Sequence, residues 1–397
     1  MDVQEIRKDF PITKDVIYLD SASTSLTPEP VLQAVLDYYH GYKANVGRGV
    51  YRMAQLADQR YRDAHRKTAE FVGGAGPQGT TVFTRNTTES INIVARGLLW
   101  KKGDGIVTTL LEHHSNLLPW MRLREKGIDL KIIKPDRSGM IGLADWEKAI
   151  TEGTRLVAVS QLSNALGTVL PVKEISKICR ERGCALLVDA AQSVPHMPVD
   201  VMDIDCDFLC FSGHKMLAPM GTGVLWIKTE VEVEPLLVGG GMVQDVGDDG
   251  YEIKKGYEGF EAGTPDISAG IGLGAAVDYL TRVGVEAIHH HEQRLTAKLL
   301  EGLQEIEGVE VYGPVSGAPA RGGVVSFAVE GLLPHEVALM LDQASSISVR
   351  SGHHCCIPLM KHLGLKYGTV RASLYLYNTE DEIEKLLATL EQIARMA

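Results

Sequence analysis

Two short segments of this sequence place polar side chains directly after apolar, strand-like runs. LLVDAAQSVPH (186–196) and FLCFSGHKMLAP (208–219) deliver five of them into loops: Asp189, Gln192, Ser212, His214 and Lys215. A lysine amine can bond to a carbonyl carbon, and a carboxylate can keep a ring nitrogen protonated. Each residue alone has an ordinary explanation, because an Asp after a strand often caps a helix and a loop Lys is usually solvated. The combination is more specific.

Pyridoxal phosphate (PLP) chemistry requires such a pair, with a lysine for the cofactor aldehyde and a carboxylate for the pyridine nitrogen. The run 212–215 precedes a Gly-Thr-Gly turn at 221–223 and a second apolar run, VLWIK. This context, with VDAAQ upstream, resembles the cysteine desulfurase branch of the class V aminotransferase family. The resemblance extends from YLDSASTSLTP (18–28) to the final helix, is closest to the type II, SufS-like members, and implies PLP fold type I.

Composition restricts the possible classes of function. The chain has 397 residues, of which 45% are hydrophobic and 41 are glycine, as in compact globular proteins. A net charge of −11 and the lack of a long basic run argue against nucleic acid as a partner. The charged start MDVQEIRKDFP lacks a secretory core, and no apolar run is long enough to span a bilayer. We therefore expect a cytoplasmic protein without a membrane partner.

Outside the segment around Cys355, the cysteine and histidine spacings do not favour a metal site. Six cysteines in a cytosolic chain favour free thiols, and no CxxC pair occurs. Cys179, Cys206 and Cys210 lie in apolar or helical patterns and are predicted to be buried. The run His289–His291 falls on a predicted helix, where adjacent side chains point in different directions, so we expect a solvated face there.

Apolar and amphipathic runs alternate between residues 105 and 228, which predicts a mostly parallel sheet with helices on both faces. Ligands collect at the carboxyl ends of such strands. After residue 263 two long helical patterns and several short strands indicate a smaller α+β unit. We predict a large α/β domain at 23–286 and a small domain at 287–397, to which the resemblance adds residues 1–22.

A phosphate site is predicted at FTRNTTESINIVARGL (83–98), where Thr87 and Thr88 open a helix. Alone this is an ordinary capping signal. The resemblance implies that Thr88 binds the phosphate with Ser212 and His214. It also implies that Thr264 of FEAGTP reaches the phosphate of a partner subunit, and hence a homodimer.

Further roles rest on the resemblance alone. His113 in LLEHHSNLLPW matches the ring that stacks on PLP and can assist proton transfer, and Gln192 matches the residue that contacts the cofactor phenolic oxygen. Asn164 in SNALGT matches a substrate-facing asparagine.

The segment SVRSGHHCCIPLMKHLG (348–364) places Cys355 in a loop rich in Gly and His. A loop thiol near cations can be held partly as the nucleophilic thiolate. From the residues alone, incidental cysteines or a metal site through His353 and His354 are equally good explanations. The resemblance to a VRxGHHCA motif assigns sulfur acceptance to Cys355. It also assigns the substrate carboxylate to Arg371, with Arg350 as a secondary candidate.

The implied activity converts L-cysteine to L-alanine and transfers sulfur to Cys355, with Lys215 as both cofactor anchor and base. The sulfur would pass to a carrier protein, a scaffold or a small thiol, for iron–sulfur cluster assembly or another pathway. Selenocysteine lyase and cysteine sulfinate desulfinase remain alternatives; an aminotransferase and a non-catalytic partner protein fit less well. The chain departs from the family pattern at four positions: Gly47, Tyr51, Asp266 and Cys356.

Overall fold

The structure is a computed structural model that describes residues 1–315 and 321–396. The strands are β1 (Ile17–Tyr18), β2 (Gly79–Thr84), β3 (Gly105–Thr109), β4 (Asp129–Ile133), β5 (Thr154–Ser160), β6 (Ala185–Asp189), β7 (Phe208–Ser212), β8 (Gly223–Lys228), β9 (Val243–Gly247), β10 (Gly250–Ile253), β11 (Val309–Tyr312), β12 (Val324–Val329), β13 (Ile347–Ser348), β14 (Arg350–Gly352) and β15 (Thr369–Ser373).

The α-helices are α1 (Val3–Arg7), α2 (Glu29–Asp37), α3 (Arg52–Phe71), α4 (Thr87–Gly97), α5 (Leu118–Leu123), α6 (Leu143–Ala149), α7 (Val172–Arg182), α8 (Val201–Ile204), α9 (Ile267–Val283), α10 (Val285–Glu305), α11 (Pro334–Ser345), α12 (Ile357–His362) and α13 (Glu380–Ala394). In the described ranges, no helix is both long and apolar enough to cross a membrane.

The largest sheet has seven strands in the order β2-β8-β7-β6-β5-β3-β4. All neighbouring pairs are parallel except those made by β8, which runs antiparallel to β2 and to β7. The predicted mostly parallel sheet is thereby confirmed. The carboxyl ends of β5, β6 and β7 lie side by side, so residues that follow these strands converge on one edge.

Helices cover both faces of this sheet because its central strands are apolar on both sides. Along β6, Leu186 and Val188 join the core cluster that contains Trp146 of α6, whereas Leu187 joins the cluster that contains Trp120 of α5. This period-two alternation buries side chains in two layers. Each fully buried large side chain contributes about 1.5–3 kcal/mol, so β6 and β7 form a rigid support for the loops that follow them.

A second, antiparallel sheet has the order β11-β12-β15-β14 and packs against α10, α11 and α13. The amino-terminal strand β1 pairs in parallel with β13, and Leu19 joins the same apolar cluster. The second sheet brings Arg371 of β15 opposite Arg350 of β14. The domain limits at 22/23 and 286/287 stay a prediction.

One expectation about α10 is wrong. His291 is buried rather than part of a solvated face, and its Nε2 donates to the carbonyl oxygen of Asn378 at 2.9 Å. The helical pattern did not reveal this, because the residue that covers His291 lies 87 positions along the chain. His290, its neighbour, is exposed.

Candidate active site

A cavity of about 310 Å³ opens at the carboxyl ends of β6 and β7. Every predicted site residue except Thr264 lines it, in a set drawn from both sheets and their connecting loops: Thr87, Thr88, His113, Asn164, Asp189, Gln192, Ser212, His214, Lys215, Arg350, Cys355 and Arg371. Residues separated by nearly 300 positions in the sequence thus meet around one space.

Asp189 ends β6, and Lys215 lies in a single 3₁₀ turn that follows β7. Burial raises the pKa of Asp189, while the Ala191 N–H, which donates to Oδ1 at 3.0 Å, and the charge of Lys215 oppose the rise. Burial lowers the pKa of Lys215, and Asp189 opposes that shift. A lysine with a lowered pKa has a larger neutral fraction, which makes it a better nucleophile and base.

The first turn of α4 faces the cavity and is held in place by β7. Thr87 N–H donates to Ser212 Oγ at 2.9 Å, and the two hydroxyl oxygens are 2.6 Å apart. Thr88 Oγ1 lies 2.6 Å from Ser115 Oγ. Asn86 caps the helix by accepting from Glu89 N–H. The positive end of the α4 dipole, with these hydroxyls, makes a cradle suited to an anion.

His113 presents a neutral ring to the cavity. Its Nδ1 accepts from Ser115 N–H at 3.1 Å, which leaves the ring proton on Nε2. Burial, with smaller effects from the Lys215 charge, lowers the pKa of His113 to about 3. Burial likewise lowers the pKa of His214 to about 4. Both imidazoles are therefore uncharged at neutral pH, and His113 can stack on an aromatic ligand as a neutral ring.

Arg371 is buried and held by the amino-terminal segment. One guanidinium nitrogen donates to Asn164 O at 2.9 Å, and the other donates to Ser23 Oγ at 2.8 Å and Asp20 Oδ1 at 3.2 Å. Its Nε has no partner among the described residues. Sequence reasoning missed Asp20 and Ser23, although Asp20 directly follows the strand-like run IYL, the same signal that identified Asp189.

The loop that carries Cys355 is fastened to the large sheet through its backbone. Asn164 Nδ2 donates to His354 O, and His114 N–H donates to Cys355 O, both at 2.8 Å. Ile357 N–H donates to His114 Nε2 at 3.2 Å. His354 and Cys355 have φ values of 51° and 56°, in the left-handed region that non-glycine residues seldom adopt. The backbone that carries the thiol is thus held in place, while the thiol itself stays exposed.

The adjacent Cys356 has the opposite environment. It is fully buried, and its thiol lies 3.4 Å from Asn164 Oδ1 and 3.5 Å from Glu112 O. Burial raises the pKa of Cys356 to about 12. A protonated, inaccessible thiol is no nucleophile at neutral pH, so Cys356 packs the loop. The predicted burial of Cys179, Cys206 and Cys210 is confirmed.

Glu112, which sequence reasoning did not single out, lies beneath the site. Its carboxyl group accepts from Thr109 Oγ1, Asn116 Nδ2 and both the N–H and the hydroxyl of Ser160, at 2.7–2.8 Å. Burial raises its pKa to about 7 against these hydrogen bonds. A charged residue inside the apolar pattern TTLLEHH was the available signal.

Within one chain, Thr264 lies outside this cavity. Its Oγ1 is 3.5 Å from Asn45 Nδ2, beside a separate cavity that Gly47 and Arg48 also line. Two departures from the family pattern lie nearby: Gly47 adopts φ 91°, and Asp266 caps α9 by accepting from Ala269 N–H. Tyr51 is 57% exposed.

Comparison with known proteins agrees with this geometry. Residues 17–386 match the model of the family described as aminotransferase class-V. A probable cysteine desulfurase of Methanothermobacter thermautotrophicus is 47% identical, with 100% of this chain and 99% of that protein covered.

Two solved structures have the same fold. An apo cysteine desulfurase of Thermococcus onnurineus superposes with a TM-score of 0.95 at 47% identity, covering 99% of this chain and 98% of that one. The cysteine desulfurase CsdA of Escherichia coli gives 0.91 at 31% identity, covering 100% and 99%. The chain belongs to the class-V aminotransferase family and has PLP fold type I, and these full-length relatives are cysteine desulfurases or probable ones.

Proposed function

We infer that this protein is a cysteine desulfurase that uses PLP to convert L-cysteine to L-alanine and transfers the sulfur to Cys355. One observation carries the proposal: an exposed thiol shares a cavity with a buried lysine, a buried carboxylate and a buried arginine, here Cys355, Lys215, Asp189 and Arg371.

The residues around the cavity fit PLP. The first turn of α4 with Ser212 suits the phosphate, Asp189 suits the ring nitrogen, and Lys215 suits the aldehyde. Gln192 Nε2 donates to Ala22 O at 2.8 Å, while its buried Oε1 has no partner in the described part of the chain. A buried polar atom without a partner is costly, and a polar ligand would satisfy it. PLP, when bound, supplies an aldehyde for amines and a ring that withdraws electrons.

Proton transfer belongs to Lys215. Its burial favours the neutral amine, so Nζ can accept the proton from the substrate α-carbon. Asp189, fixed at the end of β6 by the Ala191 N–H, holds a proton at the cofactor ring nitrogen. The neutral His113 lines the same cavity and would lie against the cofactor ring, which would leave the charge at this end to Asp189 and Lys215.

Arg371 and Cys355 orient the substrate and take its sulfur. The guanidinium of Arg371 pairs with the α-carboxylate, which points the substrate side chain toward the loop of Cys355. Arg350 contributes charge at the rim, where its side chain is 58% exposed. The Cys355 thiolate attacks the substrate sulfur, so that an S–S bond forms and the C–S bond breaks. The electron pair of that bond stays with the carbon, which is protonated as alanine forms.

Assembly and partners extend this proposal. We propose a homodimer in which Thr264 of one subunit completes the phosphate site of the other, since that residue lies outside the cavity of its own chain. The sulfur would pass to an acceptor protein, for iron–sulfur cluster assembly, in the cytoplasm. The SufS-like assignment and the two-domain division belong to the same proposal.

A single-turnover experiment tests the function. Purified protein is loaded with PLP and mixed with L-cysteine, and wild type is compared with Cys355→Ala and Cys355→Ser. We expect alanine release and one added sulfur on Cys355 in the wild type, both lost in the variants, which keep the visible absorbance of lysine-bound PLP. Absorbance without a persulfide would contradict the desulfurase; parallel reactions with selenocysteine, cysteine sulfinate and a keto acid then identify the substrate.

A further inference from the structure

The surface around Cys355 differs in charge from the rest of the molecule. The chain carries a net charge of −11, yet no aspartate or glutamate occurs between Asp342 and Glu380. That interval contains the loop of the thiol, helix α12 and the turn to β15. The segment that carries the thiol therefore has a net positive charge, although the protein as a whole is acidic.

The two lysines of this segment are exposed, and both lie on elements joined to the loop of the thiol. Lys361 lies at the end of α12, which begins two residues after Cys355, and Lys361 and Lys366 are both exposed. The turn that carries Lys366 is tied to the loop, because His353 Nε2 donates to Lys366 O at 3.0 Å. Lys366 Nζ lies 5.0 Å from the ring centre of the exposed Tyr367.

Carboxylates on the elements packed against this segment are already engaged. Asp20 is paired with Arg371, and its side chain is 15% exposed. Asp136, in the turn that accepts a hydrogen bond from His362, holds Ser138 Oγ and Met140 N–H, and that turn adds the exposed Lys134 and Arg137. Glu336 of α11 caps its own helix through Leu333 N–H. Asp136 and Glu336 are exposed and keep their negative charge, but lysine and arginine side chains outnumber carboxylates on this surface.

We propose that the surface formed by Lys361, Lys366 and the rim around Cys355 receives an acidic protein segment, in which carboxylates flank the thiol that accepts the sulfur. The proposal rests on the sulfur transfer assigned to Cys355 above. Carboxylates would pair with the two lysines while the acceptor thiolate meets the persulfide. The acceptor sulfur bonds to the outer sulfur, the S–S bond to Cys355 breaks, and the Cys355 thiolate is released.

Charge complementarity of this kind acts mainly on the rate of encounter and is screened by salt. The matching surface also discriminates, because the rest of the acidic protein repels the same segment. A small neutral thiol would react no faster because of this charge complementarity. The dependence of the sulfur-transfer rate on the charge of the acceptor therefore shows whether the acceptor docks on this surface or merely reaches an exposed thiol.

The test uses three synthetic pentapeptides with a central cysteine, flanked by glutamates, serines or lysines. PLP-loaded protein is charged with L-cysteine, and the rate of sulfur transfer to each peptide is followed by mass spectrometry at low and high salt. We expect the glutamate peptide to react about tenfold faster than the lysine peptide at low salt, with the difference shrinking at high salt. Equal rates for all peptides would overturn the proposal.

Two matched variants assign the preference to this surface. Lys361→Glu/Lys366→Glu should remove or reverse it. Lys101→Glu/Lys102→Glu makes the same change in net charge at exposed residues before β3, at the opposite edge of the sheet, and should preserve it. A preference that survives the first change, or vanishes in the second, contradicts the docking surface. Alanine release with a neutral thiol reductant checks the desulfurase step separately, and its absence would count against the proposed function instead.

Discussion

The two ends of the cavity are built in different ways. At the end assigned to the cofactor, Asp189, Ser212 and Lys215 stand on or just after strands of the large sheet, and Thr87 begins a helix. At the other end, Cys355 stands on a loop with left-handed backbone that depends on hydrogen bonds to residues of the opposite sheet. Positions supported by regular structure suit a bound ring, whereas a fastened loop suits a group that must also meet an outside partner.

Loss of Lys215 should break the cofactor end most severely. Lys215→Ala removes both the covalent anchor and the base, and we expect desulfurase turnover to fall by about 10³-fold or more, since one acid–base group typically contributes 10²–10⁴-fold. Lys215→Arg is the matched control, because it keeps the charge and most of the volume. Alanine release and PLP absorbance measure the effect; near-normal turnover in either variant would refute the assignment.

Glu112 connects the two ends, because its carboxyl group braces Ser160 while its carbonyl oxygen lies beside the Cys356 thiol. Its pKa is about 7 in the folded protein against an ordinary value of 4.5, so the folded state retains a proton that the unfolded chain releases. This group therefore lowers the free energy of unfolding as pH rises through that window, by up to about 3 kcal/mol.

Glu112→Gln should remove that dependence. We measure the free energy of unfolding of both proteins by denaturant titration. The difference, variant minus wild type, should increase by up to about 3 kcal/mol as pH rises from about 4.5 to about 7. Parallel pH profiles for the two proteins would show that Glu112 does not carry the shifted pKa.

Ser212 and Asn164 allow the two ends to be separated. Ser212→Ala removes the acceptor for Thr87 N–H, and we expect PLP affinity to fall by about tenfold while each bound PLP still supports persulfide formation. Asn164→Ala frees His354 O, and we expect PLP affinity to persist while persulfide formation slows by about tenfold. Each variant is the control for the other. Equal losses in both properties for both variants would mean that the ends act as one unit.

Cys356 should give the smallest effect. Cys356→Ala keeps the loop buried and leaves Cys355 untouched, so turnover should stay within about threefold and the free energy of unfolding should fall by about 1 kcal/mol. Alkylation of the native wild type should label Cys355 and spare Cys356, which becomes reactive on denaturation. A persulfide on Cys356 in the native protein would contradict its role in packing.

The predictable part of this molecule is the part that local pattern controls. Apolar runs identified β6 and β7, and strand ends located Asp189 and Lys215 without any contact being known. The partners of Arg371 could not be found this way, because Asp20 lies 351 residues before it and meets it only where the chain after β1 pairs with Ser373 of β15. The hydrogen bond of Asn164 to the Cys355 loop spans 190 residues and is likewise invisible to local pattern.

The hairpin of β9 and β10 escaped prediction for another reason. Its residues are mostly exposed and carry several carboxylates, so no apolar alternation marks it as a pair of strands. Burial of His291 depended on Asn378, which the helix pattern does not contain. Long-range polar contacts and exposed hairpins thus cannot be predicted from the hydrophobic periodicity of one sequence.

Two consecutive left-handed residues have a mechanical consequence for how sulfur leaves this protein. Each such conformation carries about 1–3 kcal/mol of strain, held here by the backbone hydrogen bonds of His354 and Cys355. Because these bonds anchor the backbone of the loop to the large sheet, Cys355 cannot move far out of the cavity while they hold. The acceptor must therefore come to the loop, and its thiol has to project far enough from its own surface to reach the mouth of the cavity.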